Sequence, residues 1–432
     1  MERFFTRELE RWERNKTKEP ILITGVRQVG KTWLIRDFCE KTFRDYLYVN
    51  LESQPEIVSV FEESLQPEEI IRNLELVTGR HITPGETALV FDEIQRSERA
   101  VTAMKYFCEA ETNYRVIGAG SLLGVKIHRF SSSFPVGKVR LMNMHPMRFD
   151  EFLLACGEDI LCEAIQEHVG SMCPMPEAVH NRANRLYHDY LFVGGMPQAV
   201  ADYINCGKDV LRFDRSIHSN LLTAYTADMT KYTFSPAEAV KIAQTYASVP
   251  RQLAKENPKF MYKDIREYAN KRDFVTALDL LTSSGLVLKS SNVSVPKSPL
   301  SAYAEEGMFK LYLSDTGLLG TAAGLQYQDL LPESDNIFKG AVAENYVMQT
   351  LAVNGHASYY YKPSQNLEID QLISGGEGVI PIEVKEGRHR RSTSLKNYMD
   401  QFHPSKAYRL SENNFGISDR LYSVPLYAAF CL

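Results

Sequence analysis

Eight residues constrain this chain more than any others. Gly25-Val26-Arg27-Gln28-Val29-Gly30-Lys31-Thr32 follows the apolar run ILIT directly and opens an amphipathic stretch, so G-x-x-x-x-G-K-[ST] falls between a predicted strand and a predicted helix. Glycines let the loop curl until its N–H groups point inward, and the helix N-terminus behind it adds partial positive charge. Lys31 would reach the β- and γ-phosphates of a nucleotide, and Thr32 would ligate Mg²⁺. Gly25, Val26, Arg27, Gln28, Val29, Gly30, Lys31 and Thr32 therefore form the candidate phosphate loop, with ATP and Mg²⁺ as the expected cofactors.

Such a loop needs an acidic partner at the tip of another buried strand. Leu89-Val90-Phe91-Asp92-Glu93 supplies one about sixty residues on. Asp92 would hold Mg²⁺ through its water shell. Glu93 would orient and polarise the attacking water, its plainer alternative being to cap the following helix. A third polar group is expected beyond the next strand, where YRVIGAGS places Ser121, either near the γ-phosphate or simply in a turn.

The rest of the chain suits several domains. With 432 residues, 44% hydrophobic and 24% charged, it has ample material for packed cores. The net charge of -5 exerts no global pull toward nucleic acid, so any DNA contact must come from a local basic face. Seven scattered cysteines without a C-x-x-C pair read as reduced thiols. No secretory signal and no apolar run of about 18 residues is present, so a cytoplasmic protein without a membrane anchor is expected. Short apolar runs alternating with helical stretches through residue 155 predict a parallel α/β sheet. Residues 156–234 read as a helical lid or connector with a turn at Gly194 to Pro197. Residues 235–320 open on the N-cap signal Ser-Pro-Ala-Glu and suggest three helices and a hairpin, a winged helix. Residues 321–432 read as a separate α/β domain.

The runs ILITGVRQVGKT, VFDEIQ, HPMRFDEF, GGMPQAV, FKGAVAENYVMQTL, EIDQLI and PIEVKEG together resemble prokaryotic ATP-binding proteins of the AAA+ superfamily that carry an uncharacterised C-terminal domain. The resemblance extends over nearly the entire chain. It implies an AAA+-like P-loop ATPase core, a winged helix and a C-terminal domain of restriction-endonuclease-like fold, without implying a substrate. Where such proteins usually have Gly-Arg before the last core strand, this chain has Gly137-Lys138, with Arg140 two residues later. Arg129, Lys138 and Arg140 are therefore the candidates for a cation acting on a neighbouring subunit's nucleotide in a homo-oligomer.

At the C-terminal end, Glu344 on a helix, Asp370 on a strand and Glu383-Val384-Lys385 on the next reproduce the order seen in metal-dependent nucleases. Asp370 and Glu383 would share a second metal ion, with Glu344 completing its shell and Lys385 on the same strand face as Glu383. Arg388, His389, Arg390, Arg391 and Lys396 add a basic patch beside them. The alternative is a binding module whose acids pair with Lys385. Three functions are thus open: an ATP-hydrolysing switch acting on DNA or a protein partner, an ATP-regulated nuclease, and a nucleotide-gated adaptor with no catalysis of its own.

Overall fold

The computed structural model describes all residues except 16, 18, 111–112, 122–136, 232–234, 256–257, 365–366 and 388–392. The chain divides into two compact units, residues 1–145 with 283–285, and residues 146–282 with 286–432.

The first unit is built on five parallel strands: β1 (Ile21–Thr24), β2 (Asp45–Asn50), β3 (Thr87–Asp92), β4 (Arg115–Ala119) and β5 (Arg140–Asn143), in the spatial order β2-β3-β4-β1-β5. Every residue of β3 is buried, as a strand covered on both faces requires. The helices Lys31–Thr42, Pro55–Glu63, Pro67–Thr78 and Glu98–Glu109 make the crossovers. Leu22, Leu47, Val49, Leu89, Phe91, Ile57, Phe61, Ile70 and Met104 belong to one continuous core. Because all five strands run the same way, the residues that follow β1, β3 and β4 emerge at one edge of the sheet.

The second unit begins with helices, among them Asp159–Ser171, Glu177–Val193 and Ser216–Lys231. Ser235 caps the helix Pro236–Leu253 by accepting a hydrogen bond from the Glu238 N–H at 3.2 Å. The helix Lys271–Ser283 then leads into the hairpin of β6 (Val287–Val293) and β7 (Ala304–Leu313). This hairpin does not stand apart as a wing. β6 pairs in parallel with β8 (Tyr359–Ser364), which joins β9 (Leu367–Gly375), β10 (Gly378–Val384), β11 (Ala407–Ser411), β12 (Gly416–Ser418) and β13 (Leu421–Pro425) in one eight-stranded sheet, ordered β12-β13-β11-β10-β9-β8-β6-β7. The edge N–H and C=O groups of β6 are satisfied by β8 rather than by water, a pairing between strands about seventy residues apart that no local pattern signals. The helix Phe338–Val353 is tied to β7 by the Asn345 side chain, which bonds both the N–H and the C=O of Leu313 at 2.8 and 3.0 Å.

Candidate functional site

The loop after β1 owes its shape to backbone angles that few residues adopt. Gly25 has φ 144°, and a Cβ there would lie 2.3 Å from the carbonyl oxygen of Met144. Gly30, at φ 96°, starts the helix Lys31–Thr42, and Gln28 also lies in the left-handed region at φ 62°. These turns carry the chain back over the helix N-terminus. Lys31 is buried within the curl, where its ammonium donates to the carbonyl oxygens of Gly25 and Val26 at 2.9 and 3.0 Å. Burial pulls Lys31 down from its usual range to about 8, and the nearby charges of Glu93 and Asp92 only partly oppose that shift. An ammonium held by two backbone carbonyls has no carboxylate within hydrogen-bonding reach among the described residues.

Thr32 donates its hydroxyl to Oδ2 of Asp92 at 2.7 Å, which joins the loop to the tip of β3. The same oxygen accepts the hydroxyl of Tyr48, also at 2.7 Å, from the neighbouring strand β2. The Arg36 guanidinium lies over the Tyr48 ring, 3.9 Å from its centroid. Burial and the bond to Asp92 push the Tyr48 hydroxyl up to about 12, which keeps it a donor. The Glu93 N–H donates to the other Asp92 oxygen at 2.9 Å. Two hard oxygen donors, Thr32 Oγ1 and Asp92 Oδ2, thus lie side by side beside the loop, a set that fits Mg²⁺.

Glu93 takes the left-handed conformation, φ 52°, uncommon outside glycine and asparagine. Its carboxylate does not cap a helix: the next helix, Glu98–Glu109, is capped by Ser97, which accepts from the Ala100 N–H at 3.1 Å. The Gln95 amide donates to Oε2 of Glu93 instead. Burial raises the Glu93 carboxyl above its ordinary value, an effect that the Gln95 bond opposes. Ser121 is buried just past β4, between the strands that carry the loop and Asp92, with the preceding Gly120 N–H bonded to the Ile23 carbonyl at 3.1 Å. Tyr48 and Gln95 are the site residues that motif reading missed. Tyr48 lies on the strand beside β3, two residues before Asn50, the register partner of Asp92, a placement visible only once the strands are paired.

Of the three cationic candidates for a neighbouring subunit, Arg129 lies outside the described residues. Lys138 is partly exposed, 3.9 Å from Glu109. Arg140 is exposed at the start of β5, in register with Ile21, at the sheet edge opposite the phosphate loop.

The second unit does bring Glu344, Asp370, Glu383 and Lys385 into one electrostatic cluster, together with Glu368 and a residue that the motif does not contain, Lys310. Lys385 pairs with Glu383 at 3.1 Å, and Asp370 accepts the Val384 N–H at 2.7 Å. Lys310 lies 3.3 Å from Glu344 and 2.8 Å from Glu368, and the Tyr312 hydroxyl donates to Glu344 at 3.2 Å. Burial, with the charge of Glu344 added, pushes Asp370 up to about 7. Burial by itself would lower Lys310, yet Glu344 and its neighbours hold that ammonium well above the usual lysine range. Arg388, His389, Arg390 and Arg391 lie outside the described residues, and Lys396 is exposed.

A family model described as an AAA domain matches residues 17–153, and two models each described as a domain of unknown function match residues 184–329 and 339–428. The N-terminal part of the chain has the parallel α/β fold of a P-loop domain and is similar to AAA domains over residues 17–153. Similar solved structures include a Walker-type ATPase of Pyrococcus abyssi, 17% identical with a TM-score of 0.43 over 74% of this chain and 94% of that one. The Aeropyrum pernix ORC2 protein in ADPNP–ADP complexes is 13% identical, with a TM-score of 0.33 over 78% of this chain and 94% of that one. Cdc6p from Pyrobaculum aerophilum is 12% identical, with a TM-score of 0.26 over 79% and 94%. No curated protein matches the chain. Among the described residues, no helix is long and apolar enough to cross a membrane.

Proposed function

We propose that the protein binds ATP with Mg²⁺ at the loop of residues 25–32 and hydrolyses it, using the cycle to switch how its second unit meets DNA or a protein partner. The observation that carries this reading is the buried Lys31 ammonium, satisfied by backbone carbonyls alone, with the Thr32–Asp92 oxygen pair beside it. Lys31 and the loop N–H groups would bind the β- and γ-phosphates. Thr32 and Asp92 would hold the Mg²⁺, which when bound neutralises phosphate charge. Glu93 would accept the proton of the attacking water through the oxygen that Gln95 leaves available, and Ser121 would sense the γ-phosphate. Ring or pair formation through Lys138, Arg140 or Arg129 belongs to the same reading, as does cytoplasmic location.

Phosphate release by the full chain tests this. Turnover should require Mg²⁺, and Glu93→Gln should retain ATP while lowering turnover by about 10²- to 10⁴-fold, the range for general-base loss. Tight ATP binding with no release above background in the wild type would instead favour the nucleotide-gated adaptor.

A further inference from the structure

The carboxylate cluster of the second unit has the residue order of a metal-dependent nuclease but not its charge balance. Period-two alternation along β7 puts Lys310 and Tyr312 on one face, and both reach Glu344 of the helix Phe338–Val353. Lys310 is 1% exposed and also pairs with Glu368, which is bonded by Lys362 as well. Glu383, also 1% exposed, is paired with Lys385. One of the Asp370 oxygens is taken by a backbone N–H. Glu344, Glu368 and Glu383 are thus ion-paired by three ammonium groups, those of Lys310, Lys362 and Lys385, and the charges of Lys385 and Lys310 also act on Asp370. Among the described residues, no three His, Cys, Asp or Glu side chains are arranged to hold a metal ion. A dication entering here would meet an ammonium already seated against Glu344, the acid expected to complete its shell.

We propose that Lys310 is the resident cation of this cluster: its ammonium takes the charge-balancing place that a divalent ion holds in a metal-dependent endonuclease, so the wild-type domain takes neither Mg²⁺ nor Mn²⁺. A dication and a primary ammonium are alternatives here because both are compact cations that carboxylate oxygens surround, and a buried site that satisfies one repels the other. The chemistry of the domain is then that of a polar, pre-balanced scaffold, and phosphodiester hydrolysis through a bound metal is excluded from it. The inference is independent of ATP hydrolysis by the first unit.

Mn²⁺ titration of the full-length protein without nucleotide, read by loss of the free-ion spin-resonance signal, tests it. Wild type and Lys310→Arg should show no Mn²⁺ uptake that Asp370→Asn removes. Lys310→Met should gain about one Mn²⁺ per chain together with a rise in melting temperature on Mn²⁺ addition, and Glu344→Gln in that background should abolish both. A wild-type Mn²⁺ site that disappears in Asp370→Asn overturns the proposal, as does a folded Lys310→Met protein that takes up no Mn²⁺. If Lys310→Met does not fold, the wild-type titration decides by itself.

Discussion

Two clusters of lysine and carboxylate, one in each unit, use the same side chains to opposite ends. Around the phosphate loop, Lys31 is buried against the carbonyls of Gly25 and Val26, while Asp92 and Glu93 are bonded by Thr32, Tyr48 and Gln95, all neutral groups. In the second unit, Lys310 and Lys385 are bound to Glu344, Glu368 and Glu383. The direction in which each lysine is displaced expresses the difference: burial wins at Lys31 and lowers it to about 8, whereas the acids win at Lys310 and raise it. A site that keeps its cations and anions apart stays open to a charged ligand. A site that has joined them is part of the scaffold.

The sharpest test of that contrast is Lys310→Met. Removing the buried Lys310 ammonium takes one cation from the partly exposed Glu344 and Glu368, so the variant should lose stability in denaturant unfolding without metal, by more than the ~1 kcal/mol of an exposed pair and less than the ~3–5 kcal/mol of a fully buried one. A loss under about 1 kcal/mol, the value for exposed pairs, would show that Lys310 is not the balancing charge.

Asp315 extends the comparison to an acid that is paired with no cation among the described residues. It is fully buried, accepts the N–H groups of Gly195 at 2.6 Å and Leu318 at 3.0 Å, and is pushed by burial from 3.8 up to about 6. A raised carboxyl pKa means that the folded form binds a proton more tightly than the unfolded form, so this group's contribution to stability falls as pH rises from about 4 to 6 and is level above. Asp315→Asn removes the titration. Its stability relative to wild type should improve by up to about 3 kcal/mol between pH 4 and pH 7, from about two pKa units at 1.36 kcal/mol each. A pH-independent difference would show that the carboxyl is not perturbed.

Lys31→Met should behave oppositely to Lys310→Met. Nucleotide affinity should fall by roughly 1.5–3 kcal/mol, the worth of a charged hydrogen bond, while the nucleotide-free protein melts no lower than wild type because an uncompensated buried charge has gone. Isothermal titration with ATP and a melting curve without it give both numbers; a lowered melting point would mean that the loop needs Lys31 for its own structure.

The smallest effect is expected from Tyr48→Phe, which removes one of the two donors on Asp92 Oδ2. The loss of about 1 kcal/mol of hydrogen bonding should appear chiefly as a higher Mg²⁺ requirement for turnover, with ATP affinity little changed. Turnover with an unaltered Mg²⁺ dependence would make Tyr48 a packing residue.

How much of this was legible in the residues follows from the range of the interactions involved. The phosphate loop, Asp92, the strands that carry them and the helix cap at Ser235 were all readable, because each is set by neighbours a few positions away: a turn that needs glycine, a buried strand that needs apolar residues, a cap that needs a hydroxyl. The order Glu344, Asp370, Glu383, Lys385 was readable too, and these residues do converge. What the chain could not disclose by itself was how their charges are spent. Tyr48 reaches Asp92 because β2 and β3 pair in a particular register, and Gln95 reaches Glu93 because residue 93 turns left-handed. Lys310 reaches Glu344 and Glu368 because β6 and β7 continue the sheet begun by β8, instead of forming a free-standing wing. A motif specifies which groups are present, whereas Coulomb's law acts on distances, and those distances are settled by pairings between segments tens of residues apart.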